Sequence, residues 1–453
     1  MFSLLDNTIR WYIVLSAFLY LFLFSFYGDD CFSVYNALNI YTFVSYAVIL
    51  WKSSNFAERH YTVKNLGITV FAFSVLYVVL YLLISDYYAD NTFMFSFADA
   101  KAYYNYSMAL LERPFRKWIP FLASKRWDFD DWGAPIALTL MFHVIPSKLF
   151  VNFCYIIMNT VGAICIFKMG KTVMADRYAY IAALSYSISS YSLFFMSCFL
   201  KEEMLVFLVI ATMCMLYMYI HHKRLGYLIV GVVISIAIVF FRPPVALFMW
   251  VSYMLLFLLR AKKGVFRSLA IFLMVVAAVG AFGLIQYTSS RYVGEGDVTE
   301  TYQYMNTSAF QKVVLYAGAF IGPFPALLQV DNVITYKPLF GAGLLFKLLL
   351  FFAFWKGFWY VVRHKYVEMV PIYAFVVLEI FGLSVALDGL ELRKAMPHVP
   401  LSILASFWFL SFSDKRLENE DRVSSFTVWT KRQFAATVLV AFGAALVWNT
   451  MKT

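Results

Sequence analysis

Charged residues that stand beside apolar runs in this chain fall into a few short clusters. They are Asp99 in FADAKAYY, Asp128, Asp130 and Asp131 in DFDDWG, Lys201, Glu202 and Glu203 in CFLKEEM, Arg242 in FFRPP, and Arg393 with Lys394 in ELRKAMP. A carboxylate at such a place can act as a general base or hold a divalent ion. Arginine or lysine can neutralise an oxyanion that gains charge as it departs. Each cluster also has a plainer reading: Asp99 can solvate the end of a helix, and DFDDWG can be a loop with an aspartate cap. Lysine and glutamates at a helix end commonly reach for water, and an arginine before two prolines can mark a helix boundary at the headgroups. The six histidines show no zinc-like spacing, and the His221–His222 pair sits beside Lys223 in a basic turn.

The elements that must position these clusters are apolar helices. Of 453 residues, 62% are hydrophobic and only 14% charged, with a mean hydropathy of +0.73. A water-soluble chain of this size cannot carry that surface, so lipid is the solvent for most of it. Five cysteines, Cys31, Cys154, Cys165, Cys198 and Cys214, show no CxxC or Cys/His pattern and read as packing residues. The run from Trp11 to Tyr27 lacks a basic leader and a small-residue cleavage site, which makes it a retained anchor.

Windows of apolar residues predict spans near 10–27, 33–51, 66–85, 150–167, 178–198, 204–220, 226–241, 245–260, 268–287, 340–362, 367–387, 398–413 and 433–449, about thirteen in all. The stretch 313–330 is also apolar but carries GPFP and is expected to be re-entrant or interfacial. Basic residues alternate with these spans: Lys52, Arg59 and Lys64; Lys168, Lys171 and Arg177; Lys223 and Arg224; Arg260, Lys262, Lys263 and Arg267; Arg363 and Lys365; Lys415, Arg416, Lys431 and Arg432. Positively charged short loops stay in the cytoplasm, so the N-terminus is expected inside. The formal charge of +11 follows from these loops, from a basic site for an anionic substrate, or from both.

On this topology the segments 86–149 and 288–339 face outward, and all five polar clusters lie at that one boundary. The chain is therefore expected to be a single polytopic domain over 1–453. Within 86–149, Phe97 to Arg113 reads as an amphipathic interfacial helix carrying Tyr103, Tyr104, Met108 and Leu111. Trp118, Trp127 and Trp132 suit headgroup depth.

The order of motifs, DAKAYY after an early span, DWGAPIAL, LKEE, FRPP and LRKAMPHVPL, resembles membrane glycosyltransferases of the GT-C superfamily. It looks most like those related to protein mannosyltransferases and aminoarabinose transferases, and the likeness runs over roughly residues 95 to 410. The resemblance implies an all-α membrane fold with a large extracytoplasmic loop and juxtamembrane helices. It also implies transfer of a sugar or oligosaccharide from a polyprenyl-phosphate or polyprenyl-diphosphate donor to a glycan, lipid or protein acceptor in cell-surface assembly. On that comparison Asp99 matches the catalytic aspartate, Asp131 resembles the aspartate before a glycine that leads into the next helix, Lys201 and Glu202 resemble a KE pair near the donor phosphate, and Arg242 and Arg393 resemble cations that close over the lipid phosphate. Asp131 and Glu202 are expected to be further catalytic carboxylates, and Lys394 and Tyr103 to bind substrate with Lys201, Arg242 and Arg393. Two spans precede the Asp99 loop where related enzymes often have one, and the three acids at 128–131 compete for the second carboxylate position.

No cofactor is firmly implied, although Glu202 or Asp131 leaves room for a divalent cation, and no nucleic-acid partner is expected. The setting implied is a bacterial inner membrane with the site extracytoplasmic. An O-antigen-type polymerase or ligase shares these substrates. A lipid-linked saccharide flippase would instead show inverted repeats and charges at midplane in broken helices, and the sequence displays neither. Cysteine labelling tests the sidedness: positions 105 and 301 are expected to react from outside, and 263 and 418 only after the membrane is opened. Labelling of position 263 from outside reverses the topology.

Overall fold

The computed structural model describes residues 3–28, 33–89, 97–125, 131–260, 316–320, 326–328, 337–385, 392–419 and 425–450. The predicted span 268–287, most of 313–330, and Asp128, Asp130 and Trp127 lie outside them. The chain is an all-α multi-pass membrane protein. Its principal helices are α1 (Leu4–Tyr27), α2 (Val34–Ser54), α3 (Val63–Ala89), α4 (Phe97–Leu111), α5 (Trp118–Ser124), α6 (Gly133–Val144), α7 (Lys148–Lys171), α8 (Asp176–Ser187) and α9 (Ser190–Ser197). They continue as α10 (Lys201–His222), α11 (Leu225–Val239), α12 (Pro243–Arg260), α13 (Gly341–His364), α14 (Val370–Val385), α15 (Val399–Asn419) and α16 (Ser425–Thr450).

Among the described residues ten helices are long and apolar enough to cross a bilayer, or eleven if the bent pair α8–α9 counts as one span. That pair answers to the expected span 178–198, but it bends by 48°. Ser189 takes an extended conformation there and its hydroxyl caps α9 by accepting from the Ser192 N–H, so hydroxyl-to-backbone bonding interrupts the apolar run. The expected span 226–241 is α11, whose 15 residues rise only about 22 Å, less than a hydrocarbon core. It packs between α10 and α12.

The core runs through α8, α10, α13 and α15, whose buried faces are lined by tyrosine, phenylalanine and leucine. Its ends are fastened by polar contacts. Near the C-terminal end of α15, Asp414 accepts from the Leu4 N–H (2.8 Å), the Leu5 N–H (3.5 Å) and the Tyr178 hydroxyl (2.6 Å). A carboxylate set against the first N–H groups of α1 satisfies donors that have no partner within their own helix and complements the helix dipole. Beside it Arg177 bonds Asp6 and the Ser54 carbonyl (2.9 Å), which joins α8 to α1 and α2.

The predicted amphipathic helix is α4. It packs on α6 and shares with α5 a small separate core of Leu110, Trp118 and Leu122. Trp118 is buried against the protein itself, and its indole N–H donates to the Arg113 carbonyl at 3.0 Å. The exposed aromatic is Phe115.

Asp414 gives a stability test. Asp414→Ala removes one acceptor from three donors and is expected to cost about 1–3 kcal/mol, read as a fall in melting temperature in detergent. Asp176→Ala, which breaks a solvent-exposed pair with Lys171, is expected to leave the melting temperature near that of the wild type.

Candidate active site

The residues 392–398 lie just before α15, at the opposite end from Asp414. Here the chain brings together five segments that are far apart in sequence. Arg393, on the short helix Leu392–Ala395, is the hub: its Nε donates to Glu202 Oε1 at 2.7 Å and its Nη1 donates to Asp99. Arg242 approaches the same Glu202 oxygen at 3.7 Å and donates to the Lys394 carbonyl at 2.9 Å. Lys394 thus enters this arrangement through its backbone.

A second group lies alongside. Lys201 pairs with Asp131 and donates to the Phe241 carbonyl at 3.2 Å, while the Tyr103 hydroxyl donates to Asp131 at 3.2 Å. Burial raises the proton affinity of the Tyr103 phenol, and the nearby carboxylates of Glu202 and Asp131 raise it further. Tyr103 is therefore a neutral donor across the physiological range.

Local sequence explains why these side chains sit where they do. Lys201, Glu202 and Glu203 form the first turn of α10, where the unpaired N–H groups favour negative charge. The turn into that helix runs through Phe199, a buried residue at φ +57°, a backbone region that costs a side-chain-bearing residue about 1–3 kcal/mol. The Leu200 carbonyl that follows accepts from Tyr155 on α7. Arg242 ends the α11–α12 turn, and Pro243 opens α12 at the first helical position, where a missing N–H costs nothing. Both carbonyls of that turn are used: Phe240 accepts from the Gly133 N–H at 2.8 Å and Phe241 accepts from Lys201.

The two carboxylates at Arg393 differ in access. The Glu202 side chain is fully buried, and its Oε2 has no hydrogen-bond partner among the described residues, whereas the Asp99 side chain is 44% exposed. Glu202 fits the part of a fixed counter-charge, and Asp99 can meet a molecule arriving from solvent. Three cations (Lys201, Arg242, Arg393) face three carboxylates (Asp99, Asp131, Glu202), so an incoming anion must compete with a carboxylate for a guanidinium. Among the described residues no group of three or more histidine, cysteine, aspartate or glutamate side chains is arranged to hold a metal ion.

Asp99, Tyr103, Asp131, Lys201, Glu202, Arg242 and Arg393 thus lie in this one region, with Lys394 entering by its carbonyl, while Asp128 and Asp130 lie outside the described residues. The KEE cluster is buried rather than solvated. Sequence reading passed over Lys347, Glu379 and His398, each buried. The signal was present: GLLFKLLLFF and VVLEIFG each place a single charge inside an apolar run, which is costly in lipid and marks a functional position.

No protein-family model matches the chain, and no curated protein does either. Among solved structures the chain is similar to the oligosaccharyltransferase of Archaeoglobus fulgidus. To its apo form the identity is 12% and the TM-score 0.42, over 84% of this chain and 55% of that one. To the form tethered with an acceptor peptide containing the NVT sequon the values are 13% and 0.36, over 71% and 47%. The chain therefore spans about half the length of these structures. Scores this low lend no weight to a functional reading, which rests on the residues.

Gly133 tests the construction of the site. A Cβ there would lie 2.6 Å from the Phe241 ring and 2.9 Å from the Phe240 carbonyl oxygen. Gly133→Ala is expected to push α6 off the α11–α12 turn, lower the melting temperature and move Lys201 and Arg242 with that turn. Full stability and unchanged reactivity of a cysteine placed at 242 would show that the turn does not depend on this contact.

Proposed function

We propose that this protein is a GT-C-type glycosyltransferase that moves a sugar or oligosaccharide from a polyprenyl-phosphate or polyprenyl-diphosphate donor to an extracytoplasmic acceptor. The observation that carries the reading is the arrangement around Arg393, where an exposed aspartate and a buried glutamate share one guanidinium with a second arginine alongside. Motif order, read from the sequence, supports it. Cell-envelope polysaccharide assembly at a bacterial inner membrane is the setting that the resemblance suggests.

In this mechanism the donor phosphate docks on Arg393, Arg242 and Lys201. Its arrival displaces Asp99 from Arg393, because phosphate competes for the same N–H groups with more charge and more acceptor oxygens. Asp99 is then released as a base only when donor is present. It removes the proton from the acceptor hydroxyl as that oxygen attacks the anomeric carbon. The bond from that carbon to the phosphate oxygen breaks, and the departing phosphate keeps the electron pair against the cations. Glu202 stays buried and fixes both arginines, while Asp131, held by Lys201 and Tyr103, orients the acceptor. An oligosaccharide polymerase or ligase would use the same groups on a repeat-unit acceptor. Transport of a lipid-linked saccharide draws on the buried charges Lys347 and Glu379, and it would move the donor without consuming it.

The test is a transfer assay with crude polyprenyl-linked donors, following both donor consumption and glycosylated product. Asp99→Asn is expected to lose about 10²- to 10⁴-fold in turnover while still binding donor, whereas the exposed Glu112→Gln stays near wild type. Arg393→Lys is expected to retain only part of the activity, since a lysine cannot hold two oxyanions in a planar fork. Equal turnover by Asp99→Asn and Glu112→Gln would remove Asp99 from catalysis, and donor movement without product would favour transport.

A further inference from the structure

The segment that joins α4 to α6 carries an exposed surface that the mechanism above does not use. Residues 112–125 hold four basic side chains, Arg113, Arg116, Lys117 and Lys125, against one acid, Glu112. Pro114 opens a tight turn over Phe115–Lys117, which sets one ring and two cations on three consecutive residues. Phe115 is 74% exposed, and Ile119, four residues on, is 45% exposed. Arg113 and Lys125 lie over the Phe121 ring, 4.0 and 5.6 Å from its centre. Arg116 and Lys117 are exposed, and among the described residues neither has an ion-pair partner.

Three rings in series place this turn at the edge of the lipid. The Phe115 ring packs on Trp118 with centroids 4.9 Å apart, and Trp118 stacks on His143 at 5.9 Å and 13°. His143 is in the last turn of α6, and Val144 and Ile145 after it are exposed and apolar. Exposure then continues along α7 through Leu149, Phe153, Ile157 and Val161, which are four residues apart and so share one face of a helix long enough to cross a bilayer. Lipid covers that face. Lys148 marks its headgroup end, and the Lys148 Nζ lies 4.8 Å from the centre of the Tyr104 ring, which ties α4 to the same level. Phe115 and Ile119 therefore extend an apolar surface that already faces lipid, with cations beside them. We propose that this turn is a binding site for anionic phospholipid of the leaflet nearest the candidate site, with Phe115 and Ile119 among the acyl chains and Arg116 and Lys117 on the headgroups. A zwitterionic headgroup brings its own ammonium to balance its phosphate, whereas two adjacent cations with no carboxylate partner favour a headgroup of net negative charge. The docked segment is continuous with α4, which carries Asp99 and Tyr103, and with α6, which follows Asp131. Lipid thus steadies the part of the site that stands outside the spanning bundle, whatever the site transfers.

The experiment uses the full-length protein in nanodiscs of phosphatidylcholine mixed with phosphatidylglycerol, with a benzophenone amino acid in place of Phe115. Irradiation is expected to join position 115 to lipid, and mass spectrometry reads the headgroup of the adduct. The ratio of phosphatidylglycerol to phosphatidylcholine in the adduct is expected to exceed that of the bilayer by about tenfold, the effect of two cations at the surface, and to fall toward it as salt is raised. Arg116→Gln/Lys117→Gln is expected to return the adduct to the bilayer ratio with the melting temperature near that of the parent, since both side chains are exposed. Lys52→Gln/Arg59→Gln, at the Asp414 end of the bundle, is expected to leave the ratio unchanged. No lipid adduct, or an adduct with a second copy of the chain, overturns the docking. A lipid adduct at the bilayer ratio, or an excess that survives in Arg116→Gln/Lys117→Gln, overturns the anionic site.

Discussion

A carboxylate with no exposure to water cannot stay charged alone, and Glu202 is such a carboxylate. Its partners are Arg393 and Arg242, whose guanidiniums come from segments 191 and 40 residues away in sequence. Satisfying one buried charge therefore fixes the start of α10, the α11–α12 turn and the segment before α15 relative to one another. Asp99 on α4 and Asp131 before α6 then attach to the cations that this constraint has already placed.

The same constraint explains the asymmetry between the two ends of the bundle. At the Asp414 end, one buried carboxylate accepts from two backbone N–H groups and a tyrosine, contacts internal to the fold. At the other end acids and bases are balanced but partly exposed, so their bonds can be exchanged for bonds to an incoming group. Fully satisfied polar contacts hold a structure, and exchangeable ones can do chemistry. Left-handed backbone occurs at Phe199, immediately before the KEE turn, and also at Lys223 and Lys365, which cap the C-terminal ends of α10 and α13.

Several features of the molecule could be read without coordinates. Apolar runs of membrane-crossing length gave the helical class, and the clusters around Asp99, Asp131, Lys201, Glu202, Arg242 and Arg393 stood out because charge beside lipid is costly. The helix α4 was legible as well, but its buried face is Ala100, Tyr103, Ser107 and Leu110, and Met108, grouped from sequence with the apolar residues, is exposed. Other features were hidden. The serine-rich break between α8 and α9 competes with a strong apolar pattern that continues through it, and the small core that Trp118 makes with Leu110 and Leu122 joins two separate helices.

Lipid as solvent, and the short list of residues able to carry charge within it, are determined by the sequence alone, since both follow from residue type and run length. Which charges meet was decided by tertiary structure. Nothing in the local sequence says that Arg393 takes Asp99 and Glu202, that Lys201 takes Asp131, or that Lys394 contributes a carbonyl to Arg242. Those pairings depend on how helices rotate and slide against one another to bury apolar faces. The burial of Lys347, Glu379 and His398 has the same origin: each is a polar residue that packing of the surrounding apolar helices closes over.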